Sequence, residues 1–299
     1  MNQPTLAAAC LTVAAALSGC APQDTTPTPD ESPASANVVA LSIAAHTLQT
    51  PDSIDPGWIT FRFSNNGDDI HYAHIVRLSD ERTVPELLSA YAEAIRTSAP
   101  RPKWLTRFGG PGGAAPGDTS VVTQYLEPGN YVWLCPVEDS AGTPHFSMGE
   151  YKAFVVRAAK SGAAAQAPPN PDAEIRLLDF TFEIVPPLKS GRHTIRVVNG
   201  GTDSHDVGML RLAPGMTLED LRGILNPERA RRGDQGQPDD GPPPDLGKVA
   251  GGVAALAPGM QAFFETDLTP GEYVLFCMVT APDGRSHIEH GMMKQISIQ

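Results

Sequence analysis

The sequence predicts an all-β protein of two tandem Greek-key β-sandwich units, each with one short inserted helix. Three observations carry this prediction. The chain of 299 residues contains one internal repeat, which suits two domains of ordinary size. Its 28 glycines and 29 prolines are typical of a turn-rich protein. Short runs of alternating apolar and polar residues end at Asn-Gly turns or begin at Pro-Gly turns, as strands do.

The repeat defines the two units and the segment between them. Its gapless blocks are 126–156 with 268–298, 65–78 with 199–212, and 109–118 with 251–260. The units therefore run from 38 to 157 and from 172 to 299. Segment 158–171 is rich in Ala and Pro and is predicted to be a linker.

Each unit also contains one stretch with the apolar spacing of a helix. In the first unit this stretch begins near Pro85, a residue that the first helical turn tolerates. In the second unit Thr217 and Asp220 form a start that resembles a capping box. The stretches 97–118 and 226–252 are rich in Gly and Pro and are predicted to be irregular.

The amino terminus predicts export and lipidation. An uncharged apolar run at 6–17 has the length of a signal-peptide core and is short for a membrane span. It ends in Leu-Ser-Gly-Cys20, which resembles the lipobox of bacterial lipoproteins. This resemblance implies that residues 1–19 are removed and that an acylated Cys20 anchors the protein to the lipid bilayer, on the extracytoplasmic side. Segment 20–37 is predicted to be a disordered tether.

Histidine and cysteine recur at matching positions of the two units. In each unit a His follows an Asn-Gly or Gly-rich turn, and a Pro-Gly-x-Tyr turn leads to a Cys and a second His. The second unit ends this pattern with Gly-Met. The pattern resembles the cupredoxins, the superfamily of plastocyanin and azurin. The resemblance implies a type 1 copper held by two His nitrogens, one Cys sulfur and a weak axial Met, through which electrons enter and leave.

The resemblance assigns a full ligand set to the second unit and an altered one to the first. The second-unit ligands are His205, Cys277, His287 and Met292. In the first unit the ligands are His71, Cys135 and His145, with Glu150 at the axial position and Met148 as the alternative fourth ligand. We therefore favour a copper site in the second unit over one in the first.

One departure from the family keeps other interpretations open. Nine residues separate Cys from His in both units, whereas the loops of familiar blue-copper proteins are much shorter. Either the longer loop bulges out and returns the His to the sulfur, or the protein is a metal-free binding or envelope-assembly module with vestigial ligands. A disulfide between Cys135 and Cys277 is a further alternative, since exported thiols tend to pair.

Charge and motif content exclude other functions. The formal net charge of −12 argues against nucleic acid as a partner, because nucleic acid repels negative charge. Multicopper oxidases and nitrite reductases need His-x-His pairs and a His-Cys-His run, which the chain lacks, so we expect an electron carrier with a redox protein as partner and not an enzyme. His46 and His193 are predicted to be surface residues, and His290 to be an alternative ligand or an exposed neighbour.

Overall fold

The computed structural model describes Met1 and residues 37–159, 167–225 and 244–299. The predicted signal peptide after Met1, the lipidated Cys20, the tether before residue 37, and parts of the linker and of the second insertion lie outside these residues. No helix within the described ranges is both long enough and apolar enough to cross a membrane.

The first half of the chain consists mainly of short strands. Its elements are Asn37–Ala44 (β1), Thr47–Gln49 (β2), Ser53–Ile54 (β3), Gly57–Asn65 (β4), His74–Leu78 (β5), Val84–Arg96 (α1), Thr106–Arg107 (β6), Thr119–Leu126 (β7), Gly129–Leu134 (β8) and Tyr151–Val156 (β9). The predicted helix is present, with Pro85 in its first turn. Thr83 and Glu86 close a capping box, in which each side chain accepts a bond from the other's backbone N–H.

The second half repeats this order. Its elements are Ala173–Leu178 (β10), Thr181–Val185 (β11), Gly191–Asn199 (β12), His205–Leu212 (β13), Leu218–Ile224 (α2), Gly247–Leu256 (β14), Gln261–Leu268 (β15), Gly271–Phe276 (β16) and Met293–Ile298 (β17). Thr217 and Asp220 cap α2 as predicted.

Strand β14 corrects the prediction that 226–252 is irregular throughout. Its residues from Gly247 onward pair with β13 in an antiparallel ladder. The glycines that suggested a loop instead allow close approach of two strands. Gly252 has φ +142°, and a Cβ atom there would lie 2.1 Å from the carbonyl oxygen of Val207. Only glycine fits this position without displacing the backbone.

The strands of the described residues form three sheets. The largest has the order β11-β10-β12-β15-β7-β4-β1-β2 and runs through both halves, because β7 pairs with β15. The first half adds the sheet β3-β9-β8-β5-β6, and the second half adds β14-β13-β16-β17. An apolar core lies between the sheets in each half, around Phe61 and Trp133 in the first and around Phe264 and Leu275 in the second. The predicted all-β sandwich architecture is confirmed.

The two halves belong to one compact unit and meet across an approximate two-fold axis. In the ladder between β7 and β15, Val122 lies opposite Phe264, its own counterpart in the repeat. An isolated bridge joins Pro111 to Val253, which are again counterparts. Contact between equivalent residues defines an isologous interface. The repeated halves therefore associate within one chain as two subunits associate in a symmetric dimer.

Candidate metal centres

A duplicated asparagine positions the loop before the upstream histidine of each half. Asn65 is fully buried, and its side-chain amide donates to the carbonyls of Asp69 at 2.7 Å and Ala114 at 2.8 Å. Asn199 occupies the matching position and makes the same two bonds, both at 2.8 Å. These bonds connect the turn after β4 or β12 to a loop from elsewhere in the same half, so the histidine that follows has a defined position.

The long loop between Cys and His folds back on itself. In the first half a bridge between Glu138 and Pro144 closes it, and Gly142 turns its tip with φ +76°. The backbone N–H of His145 then donates to the carbonyl of Val137 at 2.7 Å, and the second half repeats this bond at 2.8 Å. The loop therefore bulges out and returns the histidine to the sulfur.

The first ligand cluster contains His71, Cys135, His145 and Glu150, all of them buried. The Nδ1 atoms of the two histidines are 3.2 Å apart, and the sulfur lies 3.9 Å from the first and 3.7 Å from the second. Oε2 of Glu150 lies 2.8 Å from Nδ1 of His71 and 3.3 Å from Nδ1 of His145. Met148 is partly exposed at the end of a 3-10 turn, so the geometry favours Glu150 as the fourth group.

The second ligand cluster contains His205, Cys277 and His287, also buried. Its two Nδ1 atoms are 2.9 Å apart, and the sulfur lies 4.0 Å and 3.3 Å from them. Met292 is fully buried, and its carbonyl accepts a bond from the backbone N–H of Cys277 at 3.2 Å. In the first half the same backbone bond joins the cysteine to Glu150 at 3.0 Å. Met292 and Glu150 therefore occupy equivalent positions.

The donor atoms of both clusters have the spacing that a single transition-metal ion requires. With metal–sulfur and metal–nitrogen distances of about 2.3 Å and 2.0 Å in a trigonal plane, the two nitrogens would be about 3.5 Å apart and each about 3.7 Å from the sulfur. The first cluster matches these separations closely. In the second cluster the nitrogens at 2.9 Å would move slightly apart. The thiol and imidazole groups suit copper in both of its oxidation states.

Burial and hydrogen bonds set the protonation of these groups. The backbone N–H of Tyr72 donates to the Cys135 sulfur at 3.3 Å, and that of Asp206 donates to the Cys277 sulfur at 3.4 Å. Burial raises the pKa of both thiols above the ordinary value, so each keeps its proton until a cation replaces it. Burial, followed by the charge of the other histidine, lowers the pKa of His287 to about 3, so that its imidazole is neutral.

Asp179 holds a ligand of the second cluster, a role that the sequence analysis missed. Its Oδ1 accepts a bond from Nε2 of His205 at 3.0 Å. This bond selects the tautomer in which Nδ1 is free to bind a metal. Burial acts to raise the pKa of Asp179, but the bonds from His205 and from Thr202 outweigh it and lower this pKa to about 2.

His46 is a surface residue, as predicted, and it also contacts the first ligand cluster. The side chain is half exposed, but its Nδ1 lies 2.7 Å from Oε1 of Glu150. Burial acts to raise the pKa of Glu150, and the hydrogen bonds with His71 and His46 outweigh it and lower this pKa. Glu150 is therefore a carboxylate held between two histidines.

One turn carries both of these missed residues. It joins the first two strands of each half, at Ala45 and His46 in the first and at Asp179 and Phe180 in the second. His46 and Phe180 are counterparts, with φ of +57° and +66°. Extending the alignment of 65–78 toward the amino terminus at the same offset would have shown that these two turns are equivalent.

Two further histidines and the two cysteines lie as follows. His290 stacks on Phe180 at 4.4 Å and lies 3.2 Å from Asp283, outside the ligand cluster. His193 is partly exposed and bonds to the carbonyl of Lys189. Cys135 and Cys277 are both free, so the alternative of a disulfide between them is wrong.

Comparisons with known proteins return copper proteins among the similar solved structures. The reduced auracyanin of Roseiflexus castenholzii is 20% identical over 42% of this chain and 94% of its own, with a TM-score of 0.28. Auracyanin A of Chloroflexus aurantiacus is 19% identical over 40% and 99%, with a TM-score of 0.28. A multicopper oxidase is 12% identical over 88% of each chain, with a TM-score of 0.23. No protein-family model matches, and no curated protein is significantly similar.

The two sandwiches have the all-β architecture that the sequence predicts. Identities and TM-scores this low carry no functional argument, so function must be argued from the two ligand clusters themselves.

Proposed function

We propose that this cupredoxin-like chain is a copper protein that transfers electrons, with its main, type 1-like site at His205, Cys277, His287 and Met292. The observation that supports the proposal is the convergence, in each half, of two imidazole nitrogens and one cysteine sulfur to within 4.8 Å of one another. Core packing alone does not explain why two imidazoles and a thiol converge at equivalent positions in both halves of one chain.

The residues of the chain prepare this site for one-electron chemistry. Bound copper would supply a centre that cycles between two oxidation states. Burial of the ligands would exclude water from that centre, and the backbone N–H bonds to each sulfur hold the cysteines in place. Asp179 orients one imidazole, and the folded Cys–His loop orients the other.

The first half supports a second and different site. There the buried carboxylate of Glu150 replaces the thioether of Met292. A carboxylate is a harder ligand that stabilises Cu(II) over Cu(I). We therefore assign to the first half a copper of lower reduction potential than that of the second.

We further propose that an acylated Cys20 holds the protein on the extracytoplasmic side of a membrane, where it exchanges electrons with a redox protein. Electron transfer rather than catalysis is favoured, because the chain lacks the His-x-His and His-Cys-His motifs that hold additional coppers in oxidases.

Titration of the purified full chain with Cu(II) tests the copper proposal. We expect an intense visible thiolate-to-copper band with two components. Cys277→Ser should remove one component and Cys135→Ser the other. Failure of the wild-type chain to bind copper tightly would instead support the metal-free module.

Fractionation of cells tests the tether separately. Cys20→Ser should move the protein from the membrane to the soluble extracytoplasmic fraction and leave both copper bands in place. If the variant remains bound to the membrane, acylation of Cys20 is not the anchor.

A further inference from the structure

Each cysteine sulfur accepts a bond from the residue that follows the upstream histidine of its half. In the first half this residue is Tyr72, at 3.3 Å, and in the second it is Asp206, at 3.4 Å. Tyr72 and Asp206 are counterparts in the repeat. The residues after them, Ala73 and Val207, are both buried. Each sulfur is therefore one hydrogen bond and one peptide link away from a buried part of the backbone.

These buried residues contact segments that meet at the two-fold axis. The backbone N–H of Ala73 donates to the carbonyl of Pro111 at 3.2 Å. In the second half Val207 lies opposite Val253 in the ladder between β13 and β14. Pro111 and Val253 are counterparts, and the isolated bridge between them joins the halves at the axis. Both clusters are thus connected to the same point through equivalent residues.

Two reciprocal hydrogen bonds close this bridge. The N–H of Gly112 donates to the carbonyl of Gly252 at 3.3 Å, and that of Ala254 donates to the carbonyl of Gly110 at 3.0 Å. All four residues are buried. The close approach requires glycine, because a Cβ atom at Gly112 would lie 2.7 Å from the carbonyl carbon of Gly252. The link between the halves is therefore a dry backbone contact.

We propose that the two centres exchange electrons with each other along this backbone route. The inference rests on the proposed function, since it requires a redox-active copper in both clusters. Electrons tunnel more readily along covalent and hydrogen bonds than across gaps between atoms. Every step between the sulfurs of Cys135 and Cys277 is a peptide link, a hydrogen bond or a strand pairing.

The direction of transfer follows from the fourth group of each cluster. The carboxylate of Glu150 gives the first centre the lower reduction potential, so electrons run from the first half to the second. One electron leaves the first centre, where Cu(I) becomes Cu(II), and arrives at the second, where Cu(II) becomes Cu(I). No bond breaks and no proton moves.

Pulse radiolysis of the copper-loaded full chain tests this proposal, with fewer electrons added than there are chains. We expect a first-order phase in which the band of the first site returns while that of the second fades, at a rate independent of protein concentration. An equimolar mixture of Cys135→Ser and Cys277→Ser is the matched control, because it carries the same two centres on separate chains. Redistribution in the mixture requires collision, so it should slow as the mixture is diluted.

Substitutions locate the route. Gly112→Ala should slow the first-order phase several-fold, because the added methyl group pushes the two segments apart. Gly223→Ala in α2 is the control, since an added Cβ atom there meets no atom within 4 Å. Tyr72→Leu keeps the backbone N–H that bonds to the sulfur, and it should leave the rate unchanged. Unchanged copper bands would show that each variant is folded.

Amide hydrogen exchange on the copper-free chain tests the bridge without any metal. The N–H groups of Gly112 and Ala254 should exchange slowly in the wild-type chain, because both are buried and hydrogen-bonded. Gly112→Ala should speed the exchange at Ala254. Rapid exchange of both groups in the wild-type chain would show that the bridge is open and would contradict the route.

Other results would overturn the inference and separate its failure from that of the proposed function. Intact copper bands with a redistribution rate that falls on dilution, as in the mixture, would leave the proposed function standing and refute transfer between the centres. An unchanged rate in Gly112→Ala, or a slower one in Tyr72→Leu, would refute the backbone route. A wild-type chain without copper bands would refute the proposed function, and this inference with it.

Discussion

The two ligand clusters share a scaffold and differ in the groups that complete it. In both halves a buried asparagine anchors the upstream loop, and a backbone N–H donates to the cysteine sulfur. The first cluster is completed by the carboxylate of Glu150, with His46 bonded to its far oxygen. In the second, the equivalent residue is the thioether-bearing Met292, and a carboxylate appears instead behind His205, at Asp179. Duplication has thus kept the backbone of the site and changed its electrostatics.

This comparison teaches that the position of a negative charge, and not the ligand triad, distinguishes the two centres. In the first half the carboxylate lies among the donor atoms, where it would stabilise the more oxidised state of a bound metal. In the second half it lies one hydrogen bond behind them, where it orients an imidazole. Four predictions test the shared scaffold and this distinction, in order of decreasing effect.

The largest expected effect is a loss of stability on removing the buried asparagines. It should be the same in both halves, because both asparagines belong to the shared scaffold. Asn65→Ala and Asn199→Ala each leave buried backbone groups without partners, so each should lower the free energy of unfolding by about 2 to 3 kcal/mol. Urea denaturation of the full chain measures this loss. Asn130→Ala is the control, since its side chain is exposed and makes one long bond at 3.5 Å. Clearly unequal losses would contradict a common scaffold.

The next effect, on copper affinity, should differ between the two halves. Asp179→Ala removes the bond that orients His205, and it should weaken copper binding in the second site by about 10-fold to 100-fold. The repeat counterpart of Asp179 is Ala45, which has no carboxylate, so Asp69 serves as the comparison in the first half, where its Oδ2 lies 4.0 Å from Nε2 of His145. At that distance Asp69→Ala should change affinity little. Competition with a copper chelator measures the copper affinity of both variants. Equal losses of affinity would refute the distinction.

Exchange of the fourth group should move the reduction potentials in opposite directions. Glu150→Met should raise the potential of the first site and Met292→Glu should lower that of the second, each by about 60 mV, which corresponds to a tenfold change in relative affinity for the two oxidation states. Redox titration of the visible bands measures the shifts. Met148→Leu should leave both potentials unchanged, and a shift in that variant would identify Met148 as a ligand.

The smallest effect should come from the turn that carries His46 and Phe180. His46→Phe removes one bond to Glu150 and should lower the free energy of unfolding by about 1 kcal/mol. Phe180→His gains no such bond, because Met292 offers no carboxylate. Denaturation of the two variants side by side measures the difference. Equal effects would show that the bond to Glu150 contributes nothing.

Sequence patterns predicted the elements that depend on local chemistry. Thr83 with Glu86 and Thr217 with Asp220 form their capping boxes from residues three apart, so both helix starts could be predicted. Strand β14 could not be predicted in this way. Its Gly252 is required by the close approach of Val207, which lies more than forty residues earlier in the chain.

By itself the sequence determined the repeat, the all-β fold and the positions of histidine and cysteine in each half, because period, turn chemistry and residue type are local properties. It also showed that Glu150 replaces Met292. Only the tertiary structure decided that His46 and Asp179 complete the two sites, that one sheet joins the halves, and that backbone hydrogen bonds link the halves at their axis. These features arise from contacts between distant segments, and such contacts exist only once both sandwiches have folded and paired.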